Sequence, residues 1–143
     1  MKKLFSINYS QSLAHSWLLL LRICVSAFML THGLPKFLKV LGGNFQFADP
    51  LGIGTEASLI LAVFAEFFCS LFIILGLGTR LFSIPLIITM LVAAFIAHSD
   101  DPFARKEMAL LYLLIYITLL VFGSGKYSLD ALINKSRKKY MYK

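Results

Sequence analysis

Titratable side chains stand where this chain is otherwise most apolar. The stretch WLLLLRICVSAFMLTHGLPKF (17–37) carries Arg22, His32 and Lys36; a second apolar stretch holds one charge, Glu66; a third is uncharged until His98. A charge at membrane depth costs about 2.5–3.5 kcal/mol on insertion scales, so such residues face protein or a watered cavity rather than lipid. At roughly 100° per residue, Arg22 and Lys36 lie about 40° apart and His32 about 80° from Arg22, so one helical face collects all three. Counted at about 1.5 Å per residue, Glu66 falls between Arg22 and His32 in depth, which predicts an Arg22–Glu66 ion pair. The alternative is a protonated, neutral Glu66. Either serves a purely structural end, helix locking, as well as a chemical one.

A second polar group gathers at the other end of the same spans: His32, Lys36, His98, Asp100, Asp101, Lys106 and Glu107. Histidine beside carboxylates suits proton transfer or a hydrogen bond to a quinone-like carbonyl. The same residues at an interface can equally be solvated. Arg80 and His98 are five helical turns apart on one face, at opposite membrane surfaces. Tyr112 and Tyr116 stand one turn apart on the last span and need hydrogen-bond partners at that depth. The candidate proton-handling residues are therefore Glu66, His32 and His98; the candidate binding residues are Arg22, Lys36, Arg80, Glu107, Tyr112 and Tyr116. No metal set, haem-type histidine pair or phosphate-binding glycine loop is apparent. Cys24 and Cys69 lie in apolar spans without a CxxC pattern and read as small buried hydrophobes.

The elements that position these residues follow from composition. The 143 residues are 59% hydrophobic and 15% charged, with mean hydropathy +0.80, well outside the soluble range. An all-α polytopic membrane protein is expected: one four-transmembrane-helix bundle over 1–143, with spans at about 15–38, 57–77, 81–98 and 107–123. The last two spans are short. Lys2, Lys3, Arg80, Lys126, Lys135, Arg137, Lys138, Lys139 and Lys143 fall on one side, against Lys36, Lys39, Arg105 and Lys106 on the other. The positive-inside rule then places both termini in the cytoplasm, with a basic tail at 126–143 lying along the inner leaflet. The net charge of +7 is thus orientation charge, and nucleic acid is not an expected partner. The N-terminus opens like a signal peptide, but polar residues 6–12 interrupt it and the first span reads as retained. The bilayer is the partner expected; a homodimer and a redox partner protein fit the pattern too.

An arginine in the first span followed by HGLPKF resembles the opening of the DoxX family. The second-span glutamate with LGLGTR, then MLVAAFIAH, HSDDPFARKEMALLYL and GSGKYSLD, continue the resemblance over about 17–132. It implies a four-helix bundle of the bacterial inner membrane, related to membrane subunits of a thiosulfate:quinone oxidoreductase. It also implies roles for Arg22, Lys36, Glu66, Arg80, His98 and Glu107. The function expected is a redox-associated subunit binding a quinone-like molecule in a polar cavity within the bundle. Whether the chain is itself an enzyme is left open, since it has no sulfur-chemistry cysteine motif. The alternative is a non-enzymatic scaffold or small-solute carrier with structural buried ion pairs.

Overall fold

The computed structural model describes the backbone of residues 9–141 and the side chains of residues 9–135. The described residues are helical, with no strand. Helix α1 spans Gln11–Leu41, α2 Thr55–Leu75, α3 Thr79–Ala97, α4 Phe103–Phe122 and α5 Leu129–Met141. The first three are long and apolar enough to cross a membrane. Helix α4 has 20 residues, enough length for a span, but Arg105, Lys106 and Glu107 occupy its first turns.

Each helix starts or stops for a local reason. Helix α1 continues through Pro35; the proline ring removes one backbone donor, a loss tolerated near a helix end. Helix α2 closes with a left-handed Gly76, whose N–H donates to Ile73 O at 3.0 Å while Leu77 N–H donates to Phe72 O at 3.0 Å. That pair of bonds is the Schellman arrangement, which satisfies carbonyls a helix end would otherwise orphan. Ser128 caps α5 by accepting from Ala131 N–H at 3.1 Å. Two π-helical turns interrupt the spans, Phe64–Cys69 in α2 and Ala93–Ala97 in α3. An inserted residue of this kind re-aims side chains and recurs at functional sites.

Helices α3 and α4 pack together, as do α1 and α2, around Val25, Met29, Ala65, Cys69, Ile73, Leu86, Ala94, Tyr116 and Leu119. Outside this core lies an apolar coat that includes Phe28, Leu81, Ile88, Phe95, Leu114 and Val121, all exposed. A soluble monomer does not present such a surface, whereas lipid covers it without cost. The protein is an integral membrane protein.

Helices α1 to α4 start and end within a few residues of the four spans expected, and α3 and α4 are longer than their expected spans, at 19 and 20 residues; three of the four are long and apolar enough to cross a membrane. The tail is a helix from Leu129 whose first turn docks on the turn between α2 and α3. Asp130 makes the dock. Its carboxylate accepts from Gly78 N–H at 2.8 Å and Thr79 N–H at 3.4 Å, and its own N–H donates to Gly76 O at 3.0 Å. Lys2, Lys3, Lys143 and the side chains of Arg137, Lys138 and Lys139 lie outside the described residues.

Candidate functional site: a lateral cavity with a half-buried ion pair

The α1–α2 contact is set by Gly33. A Cβ there would meet Glu66 C, Glu66 O and Phe67 N at 2.7–2.8 Å, closer than packed atoms approach, so only glycine allows the two backbones to touch. Three residues on, Lys36 shares that face and its Nζ pairs with Glu66 Oε2. Phe37 stacks on Phe67 with centroids 4.4 Å apart and rings within 7° of parallel, closing the contact beside the pair. Glu66 belongs to the π-helical turn of α2. The Arg22–Glu66 pair expected from depth does not form. Arg22 is buried about three turns nearer the termini, where its Nη2 donates to Tyr127 O over Gly76.

The Lys36–Glu66 pair closes one end of a cavity of about 620 Å³. Leu61, Ala62, Phe64 and Ala65 of α2 form one wall; Pro85, Ile88, Thr89, Val92 and Ala93 of α3 form the other. Phe64, Leu61 and Ile88 on its rim are exposed on the lipid-facing coat, so the cavity opens sideways between α2 and α3. Its size lies within the range of small-molecule sites, and its lining has their usual make-up, apolar walls with few polar groups.

The loop between α1 and α2 forms the roof through Phe47, Ala48, Pro50, Leu51 and Ile53. Asp49 holds it. One carboxylate oxygen accepts from Ile53 N–H at 3.0 Å and Ser58 Oγ–H at 2.8 Å, and the other from Gly54 N–H at 2.8 Å. The Ser58 hydroxyl, then these backbone donors, hold the Asp49 carboxyl below its ordinary value. Phe47 also places its ring 5.9 Å from Lys36 Nζ, within cation–π range.

His98 lines the cavity at its loop end. Its Nδ1 lies 2.6 Å from Asp101 Oδ2, and Asp101 Oδ1 accepts from Arg105 Nη1 at 3.0 Å. This arrangement holds the imidazole by one nitrogen and leaves Nε2 free to exchange a proton or bond a ligand. The hydrogen bond from His98, followed by the charge of Arg105, keeps the Asp101 carboxyl low and ionised.

The structure thus brings Lys36, Glu66 and His98 to one cavity and leaves the other candidates elsewhere. His32 is exposed and meets Tyr112 edge-on, with centroids 6.2 Å apart; Tyr112 in turn stacks on the buried Tyr116. None of the three lines the cavity. Glu107 is exposed on α4. Arg80 lies at the termini end, where Nη2 donates to Val121 O at 3.0 Å. Cys24 and Cys69 are free thiols. Among the described residues no three His, Cys, Asp or Glu side chains converge as a metal site. Hydropathy and spacing assign no site role to Asp49, Ser58 or Phe47. The signal for Asp49 is DPLGIG, an Asp-Pro step followed by two glycines, which is turn chemistry in which Asp bonds the backbone ahead of it.

Comparison with known proteins now bears on this geometry. The DoxX family profile matches residues 17–99, the part of the chain that holds Gly33, Lys36, Glu66 and His98. The chain belongs to the DoxX family. A protein of Haemophilus influenzae described as uncharacterized is 34% identical over 134 residues, covering 86% of this chain and 92% of its own length. No solved structure matches at a significant level. The matched region of this DoxX protein ends one residue past His98, so all three charged or titratable side chains that line the cavity fall inside it.

Proposed function

We infer that this DoxX protein is a redox-associated membrane subunit that takes a quinone-like, lipid-phase molecule into the cavity between α2 and α3. The carrying observation is the cavity's polarity: apolar walls open to the lipid coat, the Lys36–Glu66 pair at the inner end and His98 at the loop end. A molecule with an isoprenoid tail and a carbonyl head fits such a slot, the tail leaving between Phe64 and Ile88. A bound quinone would supply two-electron, two-proton chemistry. The protein's own part is to bind and to hold protons: Lys36 Nζ–H donates to a carbonyl oxygen, while Glu66 and His98 Nε2 hold or accept a proton at the head. In this reading α4 is a fourth span, both termini face the cytoplasm of a bacterium, and the protein sits in its inner membrane. Electrons come from a partner subunit.

The test is extraction and mass analysis of lipids and quinones from purified full-length protein, with Glu66→Gln and Lys36→Met alongside. Copurifying quinone that both variants lose supports the reading. Equal quinone content in all three proteins defeats it.

A second reading, a non-enzymatic scaffold, is favoured by one observation. Two cations of α1 are also helix clamps: half-buried Lys36 ties α1 to α2, and buried Arg22 ties α1 to the segment before α5. It predicts that both variants lose thermal stability with no change in bound redox molecules.

A further inference from the structure

Which nitrogen of His98 carries the ring proton is decided by its partner. Nδ1 lies 2.6 Å from Asp101 Oδ2. That bond, and after it the charge of Arg105, holds the Asp101 carboxyl below its ordinary value, so it is ionised at neutral pH. An ionised carboxylate accepts hydrogen bonds and donates none. The proton in this bond is therefore on Nδ1. In the neutral ring Nε2, the nitrogen left to the cavity, is then bare and acts as an acceptor.

The turn around His98 keeps this order. His98 N–H donates to Ala93 O at 3.1 Å at the end of the π-helical turn, and Asp101 N–H donates to His98 O at 3.1 Å. Arg105, in the first turn of α4, donates to the other Asp101 oxygen at 3.0 Å. Lys106 donates instead to Ser99 O at 2.6 Å. Elsewhere in the cavity the hydroxyl protons are committed, Ser58 Oγ–H to Asp49 at 2.8 Å and Thr89 Oγ1–H to Pro85 O at 2.9 Å. The Lys36–Glu66 pair offers a donor and an acceptor side by side, so it serves a carbonyl or a hydroxyl alike. Among the described side chains that line the cavity, His98 alone tells the two apart. A hydroxyl donates to bare Nε2, whereas a carbonyl oxygen meets it lone pair to lone pair.

We propose that Asp101 is a positioning residue that fixes His98 as an acceptor, so that the cavity takes the hydroxyl-bearing hydroquinone in preference to the quinone. This rests on the quinone reading of the cavity and adds the oxidation state of its ligand. It belongs to the neutral ring, since a protonated one donates from both nitrogens. Asp101→Asn reverses the arrangement. Arg105 can bond only the amide oxygen, which turns the amide NH2 toward His98 Nδ1. The ring then carries its proton on Nε2 and donates into the cavity, the tautomer exchange that the same substitution causes in a Ser-His-Asp triad.

Nitrogen NMR of the full-length protein, isotope-labelled at its histidine rings, tests this in lipid nanodiscs at about pH 8.5, where an ordinary imidazole is neutral. His98→Gln identifies the His98 signals. The probes are a decyl-substituted dimethoxybenzoquinone and its hydroquinone, kept free of oxygen and each scaled to its concentration in the bilayer. In the wild type the proton is expected on Nδ1. The hydroquinone should perturb Nε2 at about tenfold lower concentration than the quinone, the scale of one hydrogen bond. In Asp101→Asn the proton moves to Nε2 and the preference disappears or reverses. A wild-type ring protonated on Nε2, equal affinity for both forms, or a preference unchanged in Asp101→Asn overturns the proposal and leaves the quinone reading standing. If neither form binds, the quinone reading fails and the preference with it. The wild-type measurements decide even where the variant fails to fold.

Discussion

Gly33 of α1 lies against the backbone of Glu66 in α2, at a separation no larger residue can match. That contact aligns the two helices so that Lys36 meets the Glu66 carboxylate and the cavity has a charged inner end. Replacing Gly33 by alanine forces the helices apart. Gly33→Ala is expected to cost about 1–3 kcal/mol, the usual range for overpacking, and to weaken retention of any cavity ligand. Thermal unfolding in detergent, run beside ligand extraction, measures both.

Breaking the Lys36–Glu66 pair from either side leaves a charge with no partner in a low-dielectric setting. Removing one member of a buried pair costs about 3–5 kcal/mol, whereas removing both is often close to neutral. Lys36→Met alone is expected to destabilise strongly, and Lys36→Met with Glu66→Gln to recover most of the loss. A double-mutant cycle on unfolding midpoints gives the coupling directly. An additive cycle would show that the pair contributes nothing.

The roof over the cavity is sensitive to acid. The Asp49 carboxyl is held below its ordinary value by Ser58 and by backbone donors, so its contribution is complete above about pH 4, the ordinary carboxylate value. It is lost as pH falls through the lower folded value. Hydrogen exchange of residues 44–54 should be steady from neutral pH down to about pH 4 and, after correction for the intrinsic rate, rise only below the ordinary carboxylate value. Asp49→Ala should show the open behaviour at every pH. The unchanged loop in that variant would remove Asp49 as the latch.

Asp130 joins α5 to the turn between α2 and α3 through Gly78, Thr79 and Gly76. Asp130→Ala deletes the side-chain bonds and the carboxylate near Arg22. Trypsin should then cut after Lys126 and Lys135 several-fold faster, with any cavity ligand retained, since the dock is at the opposite end of the bundle. Limited proteolysis resolved by mass spectrometry reads this.

Sequence alone determined the membrane setting and the approximate limits of helices α1 to α4, because hydropathy and capping act over a few residues. It also made Lys36, Glu66 and His98 legible as candidates, one from each of the first three apolar stretches. What it left undecided was who meets whom across helices. Depth counting set Glu66 beside Arg22, yet periodicity carries no information on the register between two helices. That register comes from the close packing of Gly33 on Glu66 and from a π-helical turn that inserts a residue into α2, so Lys36 became the partner. Arg22 was drawn instead to Tyr127 and Gly76 by a fold-back of the chain more than a hundred residues away. Asp49 and Asp101 became positioning residues only when loop and helix closed over the same cavity.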